Sequence, residues 1–208
     1  MPRALVRRPG PQLADGLLTH QQRVPVDTEL AAAQWAAYVR ALAEAGWTIV
    51  EVDPDDTSPD SVFVEDALVL FDEVAVVTRP GADVRRSETA GAEASARQLG
   101  LSVAHIEAPA TLDGGDVLKV ADHVYVGVGG RTNCEAVAQL RSLLDARRWT
   151  VTAVPVARVL HLKSAVTALP DGTVIGFRPL VDDPDVFASF EAVPEASGSH
   201  VVVLDRHR

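Results

Sequence analysis

A complete strand–strand–helix–strand unit can be read from residues 116–156, DVLKVADHVYVGVGGRTNCEAVAQLRSLLDARRWTVTAVPV. Two short apolar runs open this stretch and predict paired strands. A helical pattern from Asn133 to Arg147 follows, and Trp149 to Val156 predicts a third strand. Thr132 and Glu135 have the spacing of a capping box, which predicts that the helix starts at this point of the chain.

The same order of elements recurs about every 50 residues. The predicted strands are Arg3–Arg8, Trp47–Asp53, Val62–Val64 continuing into Ala67–Leu70, Val74–Thr78, Leu101–Ile106, Asp116–Val120, His123–Val128, Trp149–Val156, His161–Ala168, Thr173–Phe177 and His200–Asp205. The predicted helices are Asp27–Ala45, Val84–Leu99, Asn133–Arg147 and Asp183–Phe190. A unit that cannot bury its own apolar face must stack on copies of itself, which favours an α/β arrangement of ββαβ modules around an axis. A plain mixed sheet with helices is the alternative.

Composition restricts the class of protein and of partner. With 208 residues, 47% of them hydrophobic and 23% charged, we expect one domain over residues 1–208. A net charge of -10 argues against nucleic acid and anionic membranes and favours a cationic small molecule. No stretch has the apolar length of a signal peptide or a membrane span. The single cysteine, Cys134, fits a reducing compartment, so we expect a cytoplasmic protein.

Three carboxylates lie close together in residues 58–66, SPDSVFVED. Asp60, Glu65 and Asp66 interrupt a run that is otherwise mostly apolar, as in a buried strand. A buried carboxylate needs a partner, and a planar guanidinium suits bidentate pairing best. These residues are therefore candidates for binding a cationic ligand, with a solvated strand edge as the alternative.

Two polar turns supply candidates for proton transfer. Residues 113–116 read Asp-Gly-Gly-Asp, which is a strong turn signal and can also bring backbone close to a ligand. His161 lies between a loop and an apolar stretch, where a general acid or base could be held rigidly, and Asp113 could orient it. A structural histidine and a simple turn are the alternatives. No two histidines have metal-ligand spacing with a cysteine or carboxylate cluster, so no metal is expected.

Arg85 and Arg131 lie at the predicted starts of two helices. There a guanidinium and the free amides of the helix can together hold a small carboxylate, although a solvated basic residue is the simpler interpretation. The glycines of residues 127–132 do not fit a dinucleotide loop or a nucleoside triphosphate loop. Cys134, in the first turn of the third predicted helix, is interpreted as a structural thiol.

In their order along the chain, these motifs resemble the dimethylarginine dimethylaminohydrolases, within the guanidino-group modifying enzymes. The matching features are Leu18, residues 59–66, Thr78-Arg-Pro-Gly, Arg85-Arg-Ser-Glu88, Thr111-Leu-Asp-Gly-Gly-Asp-Val-Leu118, Arg131-Thr-Asn133 and His161-Leu-Lys-Ser164. The resemblance covers nearly the whole chain. It implies a pentein-like propeller of five ββαβ modules around a pseudo-symmetry axis, of which about four are expected in this chain, without the C-terminal one.

The resemblance also implies a reaction and its residues. Asymmetric dimethylarginine or monomethylarginine would be hydrolysed to citrulline plus dimethylamine or methylamine, without cofactor or metal. His161 would protonate the leaving amine and then activate water, and Asp113 would orient His161. Asp66 and Glu65 would face the guanidinium, Asp60 and the Leu18 backbone would hold the α-amino group, and Arg85 with Arg131 would bind the α-carboxylate. A homodimer is a possible assembly.

The sequence departs from the family at the nucleophile. The family attacks the guanidinium carbon with a cysteine near its C-terminus, and Cys134 does not match that position. We therefore expect this chain to bind such substrates weakly and not to turn them over. An arginine deiminase or amidinotransferase activity, and a non-catalytic arginine-binding protein of the same fold, are the alternatives.

Overall fold

The computed structural model describes residues 2–205 and divides them into two compact units. The first unit runs up to Val77 and continues from Ala82 to Val103. The second contains Thr78–Gly81 and the residues described after Val103. The expectation of one domain over residues 1–208 stays a prediction. Among the described residues, no helix has both the length and the apolar character needed to cross a membrane.

The first unit begins with a parallel strand pair connected through a long helix. Strand β1 is Arg3–Val6, helix α1 is Thr28–Glu44 and strand β2 is Thr48–Glu51. The Asp27 carboxylate caps α1 by accepting from the Leu30 amide at 2.9 Å. Gly46, at φ 91°, supplies the left-handed residue after the helix. The predicted order of this module is confirmed, with each element slightly shorter than predicted.

The next module of the first unit contains a short helix that was not predicted. Its elements are helix α2 Val64–Ala67, strand β3 Leu68–Phe71, strand β4 Val74–Val77, a 3₁₀ segment Asp83–Glu88, helix α3 Thr89–Gln98 and strand β5 Ser102–His105, which crosses into the second unit. β3 and β4 are antiparallel, and the sheet order is β3-β4-β5. The predicted single helix Val84–Leu99 is therefore a 3₁₀ segment followed by an α-helix.

The prediction of an extended Val62–Val64 run was wrong. The amide of Phe63 donates to the carbonyl of Asp60 at 3.0 Å, and that of Asp66 donates to Phe63 at 2.9 Å. Pro59 and the serines and aspartates of this segment favour successive turns over a strand. The three carboxylates thus lie on turns and a short helix, and extended structure begins at Leu68.

The third module closely follows its prediction. Strand β6 is Val117–Val120, strand β7 is His123–Val128, helix α4 is Cys134–Leu144 and strand β8 is Thr150–Pro155. β6 and β7 pair antiparallel, and β7 and β8 pair parallel. The capping box was wrong, because the α4 N-cap is Asn133, whose side chain accepts from the Ala136 amide.

The fourth module differs most from its prediction. Strands β9 Val166–Ala168, β10 Val174–Gly176 and β11 Phe190–Ala192 form a sheet of order β11-β10-β9. A single 3₁₀ turn, Pro184–Val186, replaces the predicted helix Asp183–Phe190, and residues 200–205 are not a strand. β11 takes the parallel position beside β10 instead. Phe187 is buried edge-on against Tyr125 at a centroid distance of 4.9 Å, so aromatic packing fixes this segment without a helix.

The glycines after β7 serve close packing. A Cβ at Gly129 would lie 2.3 Å from the Val156 carbonyl oxygen, and one at Gly127 would lie 2.7 Å from Oδ1 of Asp116. Neither position tolerates a side chain without displacement of its neighbours. The backbone of 127–129 is therefore packed against protein groups.

Asn133 connects α4 to the segment that leads into residues 113–116. Its Oδ1 accepts from the amides of Ala136 at 3.1 Å and Thr111 at 3.0 Å, and its Nδ2 donates to the carbonyl of Pro109 at 3.1 Å. We expect Asn133→Ala to lower the free energy of unfolding by about 2 kcal/mol, measured by urea denaturation. Asp27→Ala, which removes one cap bond from α1, is the matched control at about 1 kcal/mol. Equal losses would show that the contacts beyond the cap contribute nothing.

Candidate functional site

In the second unit, Asp113 is completely buried and fully engaged with neighbouring backbone and side chains. Its Oδ1 accepts from the Gly81 amide at 2.7 Å, and its Oδ2 lies 3.4 Å from Nη1 of Arg131. The Asp113 amide donates to the Thr132 hydroxyl at 3.1 Å. An isolated bridge between Arg79 and Leu112 fixes the preceding backbone. Asp113 is therefore held in one orientation, as a residue of a preorganised site must be.

Asp116, three residues further on, is also buried and accepts bonds from two other segments. Its Oδ1 accepts from the Leu162 amide at 2.9 Å, and its Oδ2 accepts from the Thr132 hydroxyl at 2.7 Å. Oδ2 also lies 3.3 Å from Nδ1 of His161. The turn 113–116 thus contributes two buried carboxylates, because the 3₁₀ segment Gly114–Asp116 turns both side chains inward.

His161 is buried in the second unit, and its role as acid or base stays a prediction. It directly precedes the 3₁₀ turn Leu162–Ser164 and β9. Its Nε2 lies 3.9 Å from Oδ2 of Asp113, which is too long for a hydrogen bond but close enough for attraction to a protonated ring. The carboxylate of Asp116, 3.3 Å from Nδ1, is nearer to the ring than that of Asp113. Orientation of His161 by Asp113 stays a prediction.

Arg131 is buried in the second unit beside Asp113. A Cβ at Gly81 would lie 2.3 Å from the Arg131 carbonyl oxygen, so glycine at 81 allows these two backbone segments to approach. Arg131 lies two residues before Asn133, the N-cap of α4, and so near the predicted helix start. Its role toward a substrate carboxylate stays a prediction.

Arg85, at 4% exposure, is the centre of a buried ion cluster in the first unit. Its Nη1 lies 2.7 Å from Oδ2 of Asp66. Its Nε and Nη2 donate to the Glu88 carboxylate at 3.1 and 2.8 Å, and Nη2 also donates to the Asp60 carbonyl at 3.1 Å. Burial alone would lower the pKa of Arg85, but the hydrogen bonds to Glu88 and the charge of Asp66 outweigh it and raise the pKa.

The remaining predicted binding residues of the first unit differ in exposure. Asp60 is buried, and its Oδ2 accepts from the amide of Leu17 at 3.0 Å, next to the predicted Leu18. Leu18 itself is 47% exposed, and Glu65 is exposed at the start of α2. The structure thus places Asp60, Asp66 and Arg85 in one buried cluster, with Leu18 and Glu65 nearer the surface of this unit. Their substrate contacts stay predictions.

Sequence reasoning missed four residues that build these clusters, namely Arg7, Glu88, Asp116 and Thr132. Arg7 is buried and donates through both Nη atoms to the Glu88 carbonyl at 3.2 Å, and burial lowers its pKa against the opposing charges of Asp55 and Glu88. Asp116 had a detectable signal, because a charged residue directly precedes an apolar strand. Thr132 was misleading, because its spacing from Glu135 matched a capping box.

Several known proteins are similar to this chain in sequence. No family model matches the chain. A Streptomyces coelicolor protein named N(G),N(G)-dimethylarginine dimethylaminohydrolase is 60% identical over 206 residues, which cover 99% of this chain and 80% of that protein. A Pseudomonas aeruginosa protein of the same name is 35% identical, over 91% of this chain and 74% of its own length.

Solved structures give the same result at the level of the fold. The Pseudomonas aeruginosa enzyme in complex with citrulline matches with a TM-score of 0.84 at 35% identity, covering 91% of this chain and 75% of that one. The N-terminal domain of ArgZ, described as a cyanobacterial arginine dihydrolase, matches at 0.81 with 20% identity, over 92% of this chain and 75% of that domain, which is a likeness of fold alone.

The modules and the neighbouring structures together define an α/β protein of the pentein fold, as predicted. At the level of sequence, the identities are high enough to be specific. The chain belongs to the N(G),N(G)-dimethylarginine dimethylaminohydrolase family. The resemblance inferred from the motifs is therefore confirmed.

The Arg85 cluster generates a prediction about stability. Arg85→Met leaves Asp66 and Glu88 buried without their cation, so we expect it to lower the free energy of unfolding by about 3–5 kcal/mol at neutral pH. Burial already raises the pKa of Glu88. An acid whose pKa is higher in the folded state binds more protons when folded. The folded protein therefore loses stability, relative to the unfolded chain, as pH rises and this acid becomes charged. The loss should therefore be smaller at about pH 5, measured by urea denaturation.

Arg97→Met is the matched control for this substitution. Arg97 forms an exposed pair with Glu93 at 2.6 Å on α3, and such pairs contribute at most about 1 kcal/mol. Similar losses for both variants, or a loss for Arg85→Met that does not change with pH, would contradict a structural role of the buried cluster.

Proposed function

We propose that this protein hydrolyses N-omega-methylated arginines, releasing citrulline and dimethylamine or methylamine. Membership of the dimethylarginine dimethylaminohydrolase family supports this substrate class. The observation that carries the proposal is the buried imidazole of His161, 3.3 Å from the Asp116 carboxylate and 3.9 Å from that of Asp113. Such an environment suits a group that must alternate between its neutral and protonated forms. A cytoplasmic location belongs to the same proposal.

The proposed chemistry requires a nucleophile, an acid and a water molecule. A thiolate forms a bond to the guanidinium carbon, and the C–N bond to the amine breaks as protonated His161 donates its proton. Water then adds to the same carbon and gives one proton to His161. The C–S bond breaks to release the thiolate, and the remaining hydroxyl proton passes to solvent as the carbonyl of citrulline forms. Asp113 stabilises the protonated ring through its charge, because its Oδ2 lies 3.9 Å from Nε2.

Substrate recognition is proposed to use carboxylates for the cationic groups and arginines for the carboxylate. Asp66 and Glu65 take the guanidinium, and Asp60 with the Leu18 backbone takes the α-amino group. Asp66 is buried, so a cationic partner compensates the cost of burying its charge. Specificity then follows from rejection of uncharged ligands, because an uncharged group leaves the charge of the buried carboxylates without a partner.

Arg85 and Arg131 are proposed to bind the α-carboxylate. The protein contacts of Arg85 use its Nε hydrogen, both Nη2 hydrogens and one Nη1 hydrogen. A guanidinium has five N–H donors, so one Nη1 hydrogen is left for a substrate oxygen. The same side chain can therefore stabilise the first unit through four N–H donors and contact a ligand through the fifth.

Cys134 is proposed not to be the nucleophile, although it is the single cysteine of the 208 residues. Its thiol is exposed in the first residue of α4. We infer that the 208-residue chain by itself binds methylated arginines weakly and does not turn them over.

Turnover and binding can be separated experimentally. The 208-residue chain should release no citrulline from dimethylarginine, monomethylarginine or arginine, measured by chromatography. Calorimetric titration with the same compounds should reveal weak binding. Citrulline production that is lost in Cys134→Ser would reject the exclusion of Cys134 as nucleophile.

A longer form that carries the family's C-terminal cysteine tests the acid. We expect this form to be active, His161→Ala to abolish its turnover with nearly unchanged substrate affinity, and His105→Ala, on the exposed end of β5, to leave it unchanged. Wild-type rates for His161→Ala would reject the proposed role. Citrulline from arginine but not from its methylated forms would favour a deiminase, and binding without turnover in the longer form would favour a binding protein.

A further inference from the structure

We propose that Asp116 is the positioning residue of His161 and sets its tautomer, keeping the ring proton on Nδ1 and making Nε2 the nitrogen that exchanges protons. This inference deepens the proposed function, because it rests on His161 acting as acid and base. It assigns to Asp116 the orientation of the ring that was predicted for Asp113. Asp116 orients the ring, and Asp113 stabilises its charge.

The direction of each hydrogen bond around Asp116 follows from the donors available. The Asp113 amide can only donate, so the Thr132 hydroxyl accepts from it at 3.1 Å and is free to donate its own hydrogen to Oδ2 of Asp116 at 2.7 Å. The Leu162 amide donates to Oδ1 at 2.9 Å. Asp116 therefore acts as an acceptor on both oxygens, as an ionised carboxylate does.

An acceptor at this position determines which ring nitrogen carries hydrogen. Nδ1 of His161 lies 3.3 Å from Oδ2 of Asp116. A neutral imidazole has one N–H and one lone pair, and the N–H must face a carboxylate to form a bond. The neutral ring therefore holds its hydrogen on Nδ1. Nε2 then accepts one proton to form the imidazolium and returns the same proton to regenerate the neutral ring.

The same carboxylate also fixes the backbone on which the ring is mounted. Leu162 directly follows His161, so its bond to Oδ1 and the ring's bond to Oδ2 restrain main chain and side chain together. Two bonds from one rigid acceptor leave little freedom of rotation for the imidazole.

Close packing around Asp116 supports a specific role. A Cβ at Gly127 would lie 2.7 Å from Oδ1 of Asp116 and 2.9 Å from the Cβ of Leu162. β7 therefore leaves space for this carboxylate by having no side chain at 127. Asp116 is itself 2% exposed, so no bulk water competes for its oxygens.

The tautomer can be read directly from the 208-residue protein without substrate. With ¹⁵N-labelled histidine, two-bond proton–nitrogen correlations at alkaline pH distinguish a protonated Nδ1 from a protonated Nε2. The His161→Gln variant identifies the signals of His161 among those of the six histidines. We expect Nδ1 of His161 to have the pyrrole-like shift and Nε2 the pyridine-like shift. The reverse pattern in the unmodified protein would overturn the proposal.

Asp116→Asn tests the cause, because the amide has the size of the carboxylate and presents a donor to the ring. We expect the Nδ1–H pattern to be lost and the proton to move to Nε2. Thr132→Val is the control, because it removes the hydroxyl's bonds to Asp116 and to the Asp113 amide but keeps the Asp116 carboxylate, so the Nδ1–H pattern should persist. A folded Asp116→Asn protein that retains Nδ1–H would also overturn the proposal.

The readout does not depend on Asp116→Asn folding, since the unmodified protein alone can contradict the assignment. It is also independent of turnover. Absence of citrulline with the longer form would therefore bear on the proposed function, whereas a wrong tautomer in the 208-residue protein would bear only on Asp116.

Discussion

The Asp116 carboxylate connects the parts of the second unit that a catalytic histidine would need. It accepts from the Leu162 amide and the Thr132 hydroxyl and lies within hydrogen-bond distance of His161. Thr132 in turn accepts from the Asp113 amide, so both carboxylates of the turn are joined through one hydroxyl. A buried charge is costly unless its acceptors are used. The turn 113–116, Thr132 before α4 and residues 161–162 before β9 must therefore fold together.

Local sequence patterns predicted the fold best where a continuous apolar run is bounded by polar turns. β7 was predicted at its observed bounds, since a continuous apolar run between polar turns has few alternatives. Residues 58–66 failed because hydrophobicity alone does not distinguish a strand from consecutive turns, and Pro59 with its polar neighbours decided for turns. The predicted helix Asp183–Phe190 failed because burial of Phe187 against Tyr125 outweighed a weak helical signal.

The sequence identifies candidate site residues, but it does not predict the hydrogen bonds that join them. The sequence predicts that Asp113 orients His161, which stays a prediction, and both residues are buried in the second unit. It could not reveal that Asp116 is nearer to the ring than Asp113. Which of these two carboxylates faces Nδ1 depends on the backbone conformation of residues 113–116. Likewise, Arg85 was expected at a ligand, and its partners Asp66 and Glu88 depend on the 3₁₀ geometry of Asp83–Glu88.

Within residues 2–205, β1 pairs along one side only, with β2, whereas β7 and β10 each have a strand on both sides. The other side of β1 presents a short ladder of amide and carbonyl groups that another extended chain can complete. Solubility of this protein at high concentration therefore depends on how that edge is shielded. Arg3, exposed at the start of β1, carries the kind of charge that discourages edge-to-edge association between molecules.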